Sequence, residues 1–139
     1  MRRLSVVTIA VLIISSVLLT GYTAPKKKVK LPSSYQVRNI HADVDEEHDS
    51  ELVRGLCTKF TMTETEVREF FKKADVMSAH VRKYGYDWLP CLVRGELVIN
   101  GKPATFQIES TATGWIRFSN GKTAHLGCRD ACAELFKDK

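Results

Sequence analysis

The sequence predicts an α+β domain in which one long helix packs on a four-stranded antiparallel meander sheet, the whole stapled by two disulfides. Three observations predict it. Two Asn-Gly pairs, Asn100-Gly101 and Asn120-Gly121, separate runs of alternating apolar and polar residues, the short-range signature of β-hairpins. Residues 63–84 carry a capped, amphipathic helical pattern. Four cysteines, Cys57, Cys91, Cys128 and Cys132, lie in the last two thirds of a 139-residue chain.

The chain opens with Arg2 and Arg3 before an uncharged apolar run, Leu4 to Leu19. This pattern predicts an export signal over residues 1–24, cut near Ala24. The run is shorter than the ~20 residues of a comfortable membrane span. Leu19-Thr20-Gly21-Tyr22 resembles a bacterial lipoprotein signal with Tyr22 where the lipid-bearing cysteine would stand, which excludes lipidation there. The alternative is an inner-membrane anchor through residues 4–19, favoured by Lys26, Lys27, Lys28 and Lys30, since positive charge after an apolar run opposes translocation.

Residues 25–54 read as a flexible linker, first basic and then acidic. The formal charge of +5 comes from this end: from Leu31 onward 15 Lys and Arg face 16 Asp and Glu. The domain itself is close to neutral, so no nucleic-acid partner is expected, and membrane contact is expected only through the N-terminal segment. Between His41 and Asp49 stand five carboxylates and two imidazoles. Their spacing fits no closed metal site, and the run reads as solvated. No metal and no cofactor are expected.

The domain proper is expected at 55–139. Thr63 and Glu66 form a capping box, and Val67, Phe70, Phe71, Ala74, Met77, Ser78 and Val81 recur at helical spacing, so a single helix over 63–84 is predicted. Gly85 follows as its terminator. Tyr84, Tyr86 and Trp88 then lead into the sheet and are expected to pack at its end. The tail, 129–139, reads as a short helix with Ala131, Leu135 and Phe136 inward.

Strands are predicted over about 90–99, 103–109, 114–118 and 122–128. A two-residue type I′ turn at Asn100-Gly101 sets Ile99 opposite Lys102, Leu97 opposite Ala104, Gly95 opposite Phe106 and Val93 opposite Ile108. These positions share one face, and a one-residue slip would put Phe106 against Arg94. The second hairpin needs a three-residue loop, Ser119 to Gly121, with Gly121 left-handed. That loop pairs Ile116 with Ala124 and Gly114 with Leu126, whereas a two-residue turn would set Ile116 against His125.

The opposite face then carries Trp115, Arg117 and His125, with Arg94, Glu96, Gln107 and Glu109 on neighbouring strands. Trp and Arg dominate protein interfaces, so Trp115, Arg117, His125, Arg94 and Gln107 are the candidate partner-binding residues. The competing reading makes Trp115 and His125 a cross-strand pair that only stabilises the sheet.

An even number of cysteines in a small exported domain predicts two disulfides. Cys91 and Cys128 are separated by two strands, beyond bonding reach. Cys57–Cys91 with Cys128–Cys132 is therefore favoured, and Cys57–Cys128 with Cys91–Cys132 stands second. None of the phosphate-loop, dinucleotide, serine-elbow or zinc-protease motifs is present. A cysteine with His125 and Asp87 would make a thiol hydrolase, but only with a free thiol.

Phe70-Phe71, Tyr86-Asp87-Trp88-Leu89-Pro90-Cys91, Gly95-Glu96-Leu97 and Cys128 together resemble small exported bacterial proteins, periplasmic or lipoprotein-like. The likeness covers about residues 55–132 and implies an accessory domain of the envelope, with no activity to carry over. The expected function is a non-enzymatic module that binds another periplasmic or envelope protein, inhibitor- or immunity-like. The alternatives are a small thiol-dependent periplasmic enzyme using Cys91 or Cys128, or a membrane-tethered structural component.

Overall fold

The computed structural model describes residues 26–139. The predicted signal, its cleavage site and the alternative anchor lie outside the described residues. Among the described residues no helix is long and apolar enough to cross a membrane.

Among the described residues seven strands form one antiparallel sheet: β1 (Lys27–Lys28), β2 (Gln36–Val44), β3 (Asp75–Met77), β4 (Cys91–Ile99), β5 (Lys102–Glu109), β6 (Thr113–Arg117) and β7 (Thr123–Gly127). Their order across the sheet is β1-β3-β7-β6-β5-β4-β2. Four short helices accompany them: α1 (Glu51–Cys57), α2 (Glu64–Lys73), α3 (Ala79–Tyr84) and α4 (Ala133–Phe136). The architecture of one long helix on four strands is thereby corrected.

The predicted meander survives as the centre of the sheet. Asn100 and Gly101 both have positive φ (51° and 75°), and Leu97 faces Ala104, Gly95 faces Phe106 and Val93 faces Ile108. In the second hairpin Gly121 has φ 81°, and Ile116 faces Ala124 while Gly114 faces Leu126. Gly95 is required where it stands: a Cβ there would lie 2.5 Å from the Phe106 ring.

The long helix is broken. The capping box is present, with Thr63 Oγ1 accepting from the Glu66 amide and Glu66 Oε2 from the Thr63 amide. α2 nevertheless ends at Lys73, and Asp75–Met77 pairs with the outer edge of β7, Val76 opposite Leu126. The edge of β7 offers backbone hydrogen bonds that a helix would leave unmade. Ser78 then caps a new helix, its hydroxyl accepting from the Val81 amide, and Gly85 ends α3 instead.

Residues 25–54 are not all linker. β2 pairs along β4 and forms one edge of the sheet. Asn39 (φ 52°) sits at a bulge between Arg38 and His41. The bulge changes the parity of the inward positions, so the buried Val37 faces Leu97 and yet the buried Val44 faces Cys91. Between β1 and β2 the chain packs Val29, Leu31 and Tyr35 against the core. Arg68 of α2 holds this crossing, donating to the Tyr35 carbonyl at 2.9 Å.

The core lies between α2 and one face of the sheet. Val67, Phe70 and Phe71 meet Val93, Leu97, Phe106, Ile108, Ile116 and Leu126, all buried. Phe71 and Phe106 meet edge to face at 5.4 Å. In the tail a 3-10 turn, Asp130–Cys132, precedes α4. Leu135 and Phe136 pack on the core as expected, whereas Ala131 is exposed. Cys57 is bonded to Cys91 and Cys128 to Cys132, the preferred one of the two pairings that strand separation leaves open.

Candidate functional site

The site is built on the sheet face opposite α2. Trp115 pairs with His125, Arg117 with Thr123, and Arg94 with Gln107, so the five sequence candidates do share a face. The structure divides them into two groups.

One half of the face is capped. α3 and the strap of residues 85–90 lie over it, and Arg82 of α3 is ion-paired with Glu109 of β5. Glu109 also accepts from Thr113 Oγ1 at 2.6 Å and from Gln107 Nε2 at 3.0 Å. Arg94 donates to Gln107 Oε1 at 3.2 Å and to Asp43 of β2 at 2.9 Å. A continuous chain of charge-assisted hydrogen bonds thus runs from α3 across β5 and β4 to β2. It occupies Arg94 and the buried Gln107, and these two hold the sheet together before they meet any ligand.

His125 is half-buried between Met77 and Trp115, and its Nδ1 is buried without a hydrogen-bond partner. Burial holds its pKa below the usual imidazole value, Arg82 adds to that, and Glu109 opposes it. The folded chain therefore takes up a proton on His125 less readily than the unfolded chain, which titrates near ~6.5. Stability from this group is complete above that value and is lost as pH falls through the window below it. Between about pH 7 and pH 5 the urea midpoint is expected to fall, and to fall less in a His125→Gln variant.

The other half is open. Arg117 is exposed and its guanidinium lies 5.1 Å from the centre of the half-buried Trp115 ring, within cation–π range. Beside them runs a groove of about 400 Å³ whose walls include Asn39, His41, Glu96, Thr105 and also Arg94, which thus joins the two halves. Asn39 Nδ2 donates to Glu96 at 2.9 Å, and His41 Nδ1 donates to the Asn39 carbonyl at 2.8 Å. This leaves the other imidazole nitrogen of His41 as an acceptor. An aromatic plate, a delocalised cation, a carboxylate and an imidazole suit recognition of a mixed polar and apolar protein surface. The sequence reading missed Asn39 and His41 because they belong to the bulged strand assigned to the linker.

The aromatic corner is also corrected. Tyr86 packs, with Arg129 4.5 Å above its ring and its side chain against Gly127, but Tyr84 and Trp88 are more than half exposed. All four cysteines are paired, so the thiol chemistry of Cys91 or Cys128 with His125 and Asp87 has no free sulfur to start from.

No protein-family model, curated protein or solved structure matches the chain.

Proposed function

We propose that the protein is a non-catalytic binding module of the bacterial envelope that holds another envelope or periplasmic protein against the Trp115–Arg117 half of its sheet. The observation that carries this reading is the contrast within one sheet face. α3 and a hydrogen-bonded network cover one half, leaving a cavity of about 350 Å³ beneath the helix, while a partly exposed Trp beside an Arg guanidinium borders an uncovered groove on the other. Trp and Arg at the centre of a contact provide most of the binding energy in protein interfaces.

Two disulfides support an oxidising compartment, and the export signal read from residues 1–24 supports the periplasm or secretion. The membrane-tethered alternative rests on residues 4–19, outside the described part of the chain.

The test is affinity capture from an envelope extract by the tagged protein and by its Trp115→Ala, Arg117→Ala variant. The parent is expected to retain a partner that the folded variant loses. Retention of the same partner by both would move the contact off this face.

A further inference from the structure

Six large apolar side chains are markedly exposed among the described residues: Leu52 (75%), Leu56 (70%), Tyr84 (67%), Trp88 (54%), Leu89 (52%) and Val81 (45%). All come from two segments, α1 and the stretch 81–89. They are distant in sequence and joined in space. The His48 and Trp88 rings meet at 4.1 Å, the Asp45 amide donates to the Pro90 carbonyl at 2.9 Å, and Cys57 is bonded to Cys91. Leu52 and Leu56 are one helical turn apart and lie on the same side of α1. That helix buries only Cys57, so neither leucine serves the core.

The charge of these two segments is negative on balance. Residues 43–57 and 81–89 together hold seven carboxylates against Arg54, Arg82 and Lys83; Arg82 is paired with Glu109, and Lys83 lies over the Tyr84 ring. Asp43 and Asp49 are committed to Arg94 and Arg54, while Glu47, Glu51 and Asp87 are exposed. An apolar surface with this excess of carboxylates beside it repels an anionic bilayer and repels a second copy of itself. A partner that is apolar on one side and basic around it satisfies both features.

We propose that this end of the molecule is a second docking surface, separate from the Trp115 face, whose partner is a basic amphipathic segment of another protein. Its apolar side chains would rest on α1 and Trp88–Leu89, with its cations against Glu47, Glu51 and Asp87.

The test titrates the full chain, carrying Trp115→Phe so that Trp88 is the sole indole, with three synthetic helical peptides. One is Leu/Lys, one is Leu/Glu with the same apolar spacing, and one is Ser/Lys with the same charge. The Leu/Lys peptide is expected to bind saturably, at least roughly tenfold tighter than either control, and more weakly as salt is raised. Leu52→Ser with Leu56→Ser, and separately Glu47→Gln with Glu51→Gln and Asp87→Asn, are each expected to weaken it at least roughly tenfold. All five positions are exposed, and circular dichroism verifies the fold. Trp115→Ala with Arg117→Ala is expected to leave this binding unchanged, which separates it from the face proposed above. Absent binding, equal binding of Leu/Glu and Leu/Lys peptides, or variants with parental affinity would overturn the proposal. A Trp88 emission shift produced by phosphatidylglycerol vesicles alone would overturn it in favour of a membrane surface.

Discussion

Replacing Phe106 with alanine is expected to lower stability by about 3–5 kcal/mol, the range for emptying a buried aromatic site. Phe106 is 1% exposed. Its ring sits over Gly95 on β4 and meets Phe71 of α2 edge to face. It is therefore the side chain through which the helix grips the middle of the sheet. Neither neighbour can refill the space, since Gly95 has no side chain and α2 is fixed by Val67 and Phe70, both fully buried. For a domain of ordinary stability, about 5–15 kcal/mol, the loss brings the variant close to unfolding, visible as a large fall in urea midpoint. Thr105→Ala, one position away on the exposed face, is the control and is expected to change stability by no more than about 0.5 kcal/mol.

The two disulfides are expected to differ. Cys57 and Cys91 are 34 residues apart and Cys128 and Cys132 only four. Loop-closure entropy then assigns about 4 kcal/mol to the first and about 2 kcal/mol to the second. The long bridge also has a local task. Cys57 is the only buried residue of α1, so the sulfur bond is the chief tie between that helix and the start of β4. A Cys57→Ser, Cys91→Ser variant is expected to lose about 4 kcal/mol by denaturation and hydrogen-exchange protection of the α1 amides well before the sheet opens. Cys128→Ser with Cys132→Ser is expected to leave α1 protected. Equal losses from the two pairs would show that strain or residual structure outweighs the loop term.

The centre of the sheet was legible because its turns are chemically specific. Asn100-Gly101 admits positive φ at both positions, and Gly121 admits it where only a three-residue loop keeps Ile116 facing Ala124. Face assignment followed, including the shared face of Trp115, Arg117, His125, Arg94 and Gln107. The distance two strands impose between Cys91 and Cys128 excluded one of three disulfide pairings, and of the two left open the preferred one is formed.

The edges were not legible, for two physical reasons. In β2, one extra residue at Asn39 puts odd position 37 and even positions 42 and 44 on one face, which hides the alternation that marks a strand. At residues 74–78, Ala74, Met77 and Val81 continue the helical period of α2. The strand there exists because β7 has an edge to pair with, a tertiary gain that local pattern does not contain. The new N-cap at Ser78 was the one local signal of the break. α3 then covers half of the face that had been read as open, so His125 and Gln107 were placed on the right side and given the wrong exposure. Asn39 and His41 were missed along with β2.

The measurement bears on whether the uncovered half of the sheet is the contact face. A photoreactive amino acid placed at exposed Thr105, and separately at exposed Thr123, the two residues that flank Arg117 across the sheet, or at Lys137 in the tail, reports contact directly in an envelope extract. One common cross-linked partner is expected from positions 105 and 123, lost when Trp115 is alanine, and none of that partner from position 137. Cross-linking of the same partner from position 137 alone, or from 105 irrespective of Trp115, would show that the contact lies elsewhere.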